Sequence, residues 1–409
     1  MSDVAYVVIG TGVAGVKAAE SLRKDGVDGR VILIGEETHL PYERPELSKG
    51  YLAGDKKQEE LSVRDETWYA QNNVELMLGR TAESLDRVGR TITLDRGERV
   101  GYDRLLLATG SSPRRLDLPG AGLDGVHYLR RIGDSDRIRE AIGDGGPVVV
   151  IGAGWIGLEV AAVARQAGAE VTILESGPAP LARVVGTEVG ERFTRLHRDH
   201  GTTVRCGVTI RAIIGDSRVT GVELDDGTVL PAQTVIAGVG VQPNTGLAES
   251  GGLPVDNGVL VDTGLRTPDD RIWAAGDIAN CENTWVGGRI RVEHFSVAEE
   301  QGAFAGHGMA GSHETWGVAP FFWSDQYDAG LEYRGWADPE RSRVVLRGTP
   351  EDGQWAAFWL DEDSRIQAGM HVNGWDDADT VRDLVADRRL VIPRRLADPA
   401  IPLAEVSGS

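Results

Sequence analysis

"GTGVAG" at residues 10–15 follows the apolar run Val7-Val8-Ile9, and "GAGWIG" at residues 152–157 follows Val148-Val149-Val150-Ile151. A glycine loop of this kind means little alone. It gains meaning from a strand before it, a helix after it and an acidic residue about 20 positions on. Both copies have that setting. "VAYVVIG" reads as a buried strand, "VAGVKAAESLRKDG" as a helix ending at Gly26, and "RVILIGEE" as a second strand delivering Glu36, 26 positions after Gly10. "PVVVIGAGWIGLEVAAVARQAGAEVTILES" repeats the order without interruption, with Glu175 lying 23 positions after Gly152.

Each residue type has a reason to be there. Gly10 and Gly152 permit the tight turn, Gly12 and Gly154 let backbone approach a pyrophosphate, and Gly15 and Gly157 let helix pack close to strand. The acids Glu36 and Glu175 are placed to accept from a ribose 2′-hydroxyl. The chain therefore reads as α/β with two Rossmann-like dinucleotide-binding folds. A third match, "GHGMAG" at 306–311, follows the helical stretch "SVAEEQGAFA" and reads as a helix end. Two further strands end in turns that can meet a cofactor: "DRLLLATGSSP" at Thr109-Gly110 and "RIWAAGDIAN" at Gly276-Asp277. Asp277 sits where a following helix would take it as N-cap, a role compatible with facing the cofactor.

Composition bounds the alternatives. A chain of 409 residues is expected to form two or three domains, and 41% hydrophobic with 26% charged residues suits a globular protein. The 54 glycines are scattered at turns, which points to many strand–loop junctions. Two cysteines, Cys206 and Cys281, exclude a disulfide framework and a Cys-x-x-Cys pair. The stretches His197–His200 and His307–His313 lack ligand-spaced partners, so they are expected at the surface, with no metal. A net charge of −20 argues against nucleic-acid binding. The N-terminus enters a strand at once, without a signal-peptide pattern, and the apolar runs fall short of the ~20 residues a membrane span needs. A cytoplasmic location without membrane contact is expected.

The order GxGxxG, ATG, GxGxxG, GD resembles the two-dinucleotide flavoprotein reductases of the glutathione-reductase superfamily. That resemblance implies an FAD-binding domain of residues 1–113 and 245–320, an inserted NAD(H)-binding domain of 114–244, and a small α+β domain of 321–409. "PYERPELSKGYL" at 41–52 and "WSDQY" at 323–327 are similar to stretches of the FAD-dependent NADH:ferredoxin reductases of bacterial oxygenase systems, the putidaredoxin reductase and biphenyl dioxygenase reductase branch. Glu46 departs from that pattern, where the branch usually has a second proline. On residues alone Arg44 and Lys49 read as exposed loop charges; the resemblance implies that they face the FAD pyrophosphate and the flavin. Trp323 is either a core aromatic or faces the flavin. Glu159 suits a helix N-terminal dipole, and the resemblance implies that it orients the nicotinamide beside Lys49, with Lys49 stabilising negative charge on the flavin.

The function so implied is electron transfer from NADH through FAD to a [2Fe–2S] ferredoxin feeding a cytochrome P450 or a ring-hydroxylating dioxygenase. Rubredoxin reductase and a redox-sensing protein of the apoptosis-inducing-factor type are the alternatives. With no cysteine before Cys206, no thiol stands early in the chain to relay electrons. NADH is expected over NADPH, because Glu175 repels a 2′-phosphate and Ser176, Gly177 and Pro178 follow in place of basic residues. The partner ferredoxin is expected to be acidic. "DRRLVIPRR" at 387–395, with Arg388, Arg389, Arg394 and Arg395 against one aspartate, is either a solvated helix end or its docking patch.

Overall fold

The computed structural model describes residues 4–407. The chain divides into two compact units: residues up to Arg44 with Gln58–Ser112 and Val241–Pro320, and Pro45–Lys57 with Pro113–Gly240 and the residues from Phe321 on. Each is built around its own parallel sheet.

In the first unit the sheet orders Ile272–Ala274, Arg104–Leu107, Ala5–Ile9, Arg30–Gly35 and Val74–Leu78, all parallel. Val7, Val8, Leu33 and Leu105 to Leu107 are fully buried, as strands covered on both faces must be. The chain leaves Ala5–Ile9 to one side and later returns on the other, so a crevice opens at its C-terminal end, where such sheets bind ligands. Helices Val13–Lys24 and Phe295–Ala310 pack backbone to backbone. A Cβ on Gly302 would stand 2.2 Å from the Ala14 carbonyl oxygen, and one on Gly306 2.5 Å from that of Ala18. The "GHGMAG" stretch is thus the end of a packing helix, closed by Gly311 at φ 115°.

One local expectation fails. No helix follows Gly276-Asp277; a 3₁₀ turn, Gly276–Ile278, leads straight into strand Ala279–Asn283. The Gly276 amide donates instead to Gln301 Oε1 at 2.9 Å, so a side chain of the distant helix satisfies the turn.

In the second unit the parallel sheet orders Thr203–Arg205, Glu170–Leu174, Pro147–Ile151, Thr234–Ala237 and Val126–His127. The C-terminal stretch forms an antiparallel sheet in the order Phe321–Gln326, Ala329–Gly335, Ile366–Val372, Gln354–Leu360 and Arg343–Thr349, followed by helix Ala378–Ala386. Phe193 on helix Thr187–Asp199 meets Trp155 and Trp355, with ring centroids 5.7 and 6.2 Å away. The buried Arg347 guanidinium donates to the carbonyls of Leu396, Asp398, Pro399 and Ile401 at 2.7–3.4 Å, fastening the segment that carries Arg394 and Arg395. Among the described residues no helix is long and apolar enough to cross a membrane.

Candidate functional site

The first glycine loop closes on its sheet through two bonds, Gly10 N to Ile34 O and Ala108 N to Ile9 O, both 2.8 Å. Gly10 takes φ 122°, and a Cβ there would lie 2.0 Å from the Ala108 carbonyl oxygen, so only glycine fits. A Cβ on Gly15 would strike the Gly10 carbonyl oxygen at 2.1 Å, whereas one on Gly12 would meet nothing within 4 Å. The loop is therefore crowded beneath and open above Gly12, at the start of helix Val13–Lys24. That is the shape a pyrophosphate needs. Thr109-Gly110 borders the opening. Asn244 clamps this turn, its Nδ2 donating to Thr109 O at 2.9 Å while its carbonyl accepts from Thr109 Oγ1 at 2.8 Å.

Asp277 and Arg44 belong to the same unit. Ser111 Oγ donates to Asp277 Oδ2 at 2.6 Å, and Arg291 Nη1 donates to the Asp277 carbonyl at 3.0 Å. Arg44 pairs with Glu37 at 2.6 Å and donates to Tyr42 Oη at 2.9 Å. Burial opposes its charge, but Tyr42, Glu37 and Asp277 outweigh that, so its pKa lies above the ordinary value. Burial pushes the His294 imidazole down to about 4, only partly offset by Asp277. Ser111, Asn244 and His294 were missed from sequence. Ser111 directly follows the ATG turn and could have been found; the other two come from distant chain.

The second loop repeats the first: Gly152 N to Leu174 O and Gly238 N to Ile151 O, both 2.8 Å. Gly152 has φ 94°, and a Cβ on Gly157 would lie 2.2 Å from the Gly152 carbonyl oxygen. Gly154, like Gly12, faces open space. The acids differ. Glu175 directly follows the strand, and its Oε2 accepts from Ala153 N at 2.8 Å while Oε1 accepts from Gly177 N at 2.7 Å. By register, with Ile9 beside Ile34 and Ile151 beside Leu174, its counterpart is Gly35 rather than Glu36. A Cβ on Gly35 would lie 2.2 Å from Thr11 Oγ1. Thr11 fills the place, and Glu36, exposed, stands one position further on.

Glu159 is buried in helix Trp155–Gln166. Lys49 Nζ lies 2.5 Å and Ser324 Oγ 2.6 Å from its Oε1, and Ser48 Oγ 2.5 Å from its Oε2. Lys49 precedes the short helix Gly50–Ala53, and Ser135 Oγ donates to the Leu47 carbonyl at 2.9 Å to hold the segment. Glu46 pairs with Lys56 at 2.9 Å and bridges the same segment. Trp323 alternates with Ser324 along strand Phe321–Gln326; Ser324 is buried and Trp323, on the opposite face, is half-buried.

The family can now be stated from likeness as well as geometry. Residues 4–302 match the pyridine nucleotide-disulphide oxidoreductase family, and residues 321–407 the family described as reductase C-terminal. The chain belongs to the pyridine nucleotide-disulphide oxidoreductase family. It is 38% identical over 407 residues to the anthranilate 1,2-dioxygenase system ferredoxin–NAD(+) reductase component of Burkholderia cepacia, covering 98% of this chain and 99% of that one. It is 37% identical over 393 residues to rhodocoxin reductase of Rhodococcus erythropolis, covering 96% and 92%. Its structure superposes with a TM-score of 0.95 on putidaredoxin reductase in a covalent complex with putidaredoxin, at 36% identity and 99% and 98% coverage.

Two further features bear on the electron path and the partner. The family's name refers to disulphides, yet this chain has only Cys206 and Cys281, and they fall in different compact units. The basic run 387–395 is partly self-satisfied. Arg389 pairs with Asp387 at 2.5 Å, Arg395 Nη2 donates to the Glu405 carbonyl at 2.9 Å, and Arg388 is half-buried. Arg394 is exposed. His197, expected at the surface, is fully buried. Helix Thr187–Asp199 turns it inward with Val189 and Phe193.

Proposed function

We propose that the chain is an NADH-dependent ferredoxin reductase, carrying electrons through FAD to a [2Fe–2S] ferredoxin that serves a cytochrome P450 or a ring-hydroxylating dioxygenase. The observation that carries the reading is the pair of matched cradles, each crowded by its own backbone beneath and open above Gly12 or Gly154. Near-complete alignment with relatives named ferredoxin reductases supports the acceptor.

In this reading residues 1–113 and 245–320 bind FAD, 114–244 bind NADH, and 321–409 form the third domain. Bound FAD supplies hydride acceptance from NADH and onward delivery of single electrons. The chain's part is to bind, orient and exclude water. Amides at the start of helix Val13–Lys24 receive the FAD pyrophosphate, with Thr109, Gly110, Arg44 and Asp277 around it and Glu36 at the ribose. Gly152, Gly154 and Gly157 do the same for NADH. Glu175 uses the lone pairs left by Ala153 and Gly177 to accept from the ribose 2′-hydroxyl, and favours NADH. Glu159 orients the nicotinamide, Lys49 holds that carboxylate and supplies positive charge, and Trp323 faces the flavin. No cysteine pair competes for electrons, which favours direct transfer to the partner. An acidic ferredoxin docks against Arg394 with Arg388, Arg389 and Arg395, in the cytoplasm.

Stopped-flow mixing of the purified protein with NADH, and then with oxidised ferredoxins or a rubredoxin, tests this. Bleaching of the flavin band by NADH, followed by rapid reduction of a [2Fe–2S] ferredoxin, is the expected result. Reduction of rubredoxin alone would reassign the acceptor, and a protein unable to take up FAD would end the reading.

A further inference from the structure

Glu159 stands at one end of a line of buried polar side chains that the electron-transfer chemistry does not itself call for. Ser324 Oγ meets its Oε1 at 2.6 Å, Gln326 Nε2 meets Ser324 Oγ at 3.3 Å, and Gln326 Oε1 meets His197 Nε2 at 3.0 Å. His197 Nδ1 then meets Tyr327 Oη at 3.2 Å, and Tyr327 Oη meets Thr202 Oγ1 at 3.0 Å. Ser324, Gln326, His197 and Thr202 are each at most 3% exposed. Burying so many polar groups is costly unless each finds a partner, and here each does.

The direction of every bond follows from the first. A carboxylate only accepts, so the Ser324 hydroxyl donates to Glu159 and can only accept from Gln326. Gln326 therefore turns its amide nitrogen to Ser324 and its oxygen to His197. His197 must then carry its proton on Nε2 and accept from Tyr327 on Nδ1. Burial keeps that imidazole neutral, lowering its pKa to about 4. Tyr327 occupies the left-handed region at φ 57°, which is uncommon for a bulky side chain. Its ring stacks on His200 at 3.8 Å, and its hydroxyl reaches His197.

We propose that Ser324, Gln326 and His197 are positioning residues: a one-way hydrogen-bonded line, anchored at Tyr327, that fixes the rotamer of the Glu159 carboxylate and so the angle at which it meets the nicotinamide. The proposal rests on the reading of Glu159 given above.

Two measurements test it. In the FAD-loaded protein labelled with nitrogen-15 histidine, His197 should show a protonated Nε2 and a bare Nδ1, unchanged between pH 8 and 6. The His197→Gln variant identifies the signals. A proton on Nδ1, or titration near the ordinary histidine value, overturns the line. In stopped flow, Ser324→Ala and Gln326→Met should each slow the limiting rate of flavin reduction by NADH about 10-fold, the scale on which misplacement is felt, with little change in the NADH concentration for half-maximal rate. In a Glu159→Gln background, Gln326→Met should add less than about twofold, because linked groups are not additive. A full further 10-fold loss there overturns the proposal while leaving Glu159 its role. If Glu159→Gln alone reduces as fast as the parent, the reading of Glu159 falls, and the proposal with it. Should Gln326→Met not fold, Gln326→Glu, which keeps an acceptor for His197 but offers Ser324 no donor, carries the same test.

Discussion

The loops at Gly10 and Gly152 meet their sheets through the same hydrogen bonds, yet the residue behind each loop differs. In the first, Thr11 projects into the space beside Gly35. In the second, Ala153 leaves that space to Glu175, whose carboxylate ties the loop amides of Ala153 and Gly177. The Ala153 carbonyl accepts from Leu181 N at 3.0 Å, so both backbone polar groups of that residue are held. One architecture thus carries a loop whose own side chain fills the space behind it and another braced there by a charge. On the proposed reading, ligand preference and structural support are separate in the first and share one carboxylate in the second.

The most severe way to break the comparison is to fill the crowded side of each loop. Gly10→Ala and Gly152→Ala each add a Cβ against a carbonyl oxygen, at 2.0 and 2.4 Å, in a left-handed conformation. Each should destabilise its unit by roughly 3–5 kcal/mol. Gly10→Ala should yield protein without bound flavin. Gly152→Ala should stay yellow and fail to be reduced by NADH. Absorbance at the flavin band before and after NADH separates the two. Loss of flavin from both would mean that the cradles do not divide the ligands as proposed.

Next in size is the buried Lys49–Glu159 pair of the second unit. Lys49→Met leaves the Glu159 carboxylate with its two hydroxyl donors but no cation, at a cost of about 3–5 kcal/mol. Denaturant melts should show it, and Lys49→Met combined with Glu159→Gln should recover most of the loss.

Glu175 sharpens the contrast most directly. Glu175→Ala should lower kcat/KM for NADH about 10- to 100-fold without a matching gain for NADPH, since Ala153 and Gly177 lose their acceptor along with the ribose. Glu36→Ala, one position beyond the residue that faces the loop, should weaken FAD retention only a few-fold. Steady-state kinetics with both nicotinamides and flavin release by dialysis give the two numbers.

Acid touches both units through buried histidines: His294 in the first and His197 in the second are pushed down to about 4 by burial, and burial also lowers His127 and His371 in the second. A histidine whose folded pKa lies below its unfolded value makes the unfolded state bind more protons. Stability is then retained above about pH 6.5 and falls as pH drops toward 4. For fully buried His197 the loss between pH 7 and 5 is about 2 kcal/mol. His197→Gln should reduce that slope in the second unit only, leaving the part due to His127 and His371, as urea melts at the two pH values can determine.

The smallest effect belongs to the basic run. Reversing Arg394 to Glu should raise the ferredoxin KM only about two- to threefold and leave a small artificial acceptor unaffected. Reversing Arg389 or Arg395, already engaged with Asp387 and the Glu405 carbonyl, should do less. Ferredoxin turnover at low and high salt is the measurement.

These features differ in how legible they were. The cradles could be read because turn, helix start and close packing are local demands met by glycines at fixed spacing. The equivalence of Glu36 and Glu175 could not. Counting from the glycine places both acids plausibly, and only strand register shows that Gly35 faces Glu175's position. The Glu159 cluster gathers Ser48, His197, Ser324 and Gln326 from three separate stretches of chain, and no local period announces such a meeting. Ser324 and Gln326 were in view within "WSDQY", but the alternation that buries them needed a neighbouring strand. The turn after Asp277 is not legible locally, because the group that satisfies Gly276 comes from Gln301, far along the chain.

Arg347 carries a consequence of a different kind. Its four bonds all end on carbonyl dipoles of residues 396–401. Dipoles neither titrate nor exchange partners with dissolved salt, so this clasp is indifferent to conditions that dissolve surface ion pairs. The basic run beyond it is then presented on a fixed base even where ionic strength has silenced its charges. A lysine in place of Arg347 would offer one compact ammonium to a row of acceptors spaced for a planar fork. The segment would then come loose while the net charge stayed the same.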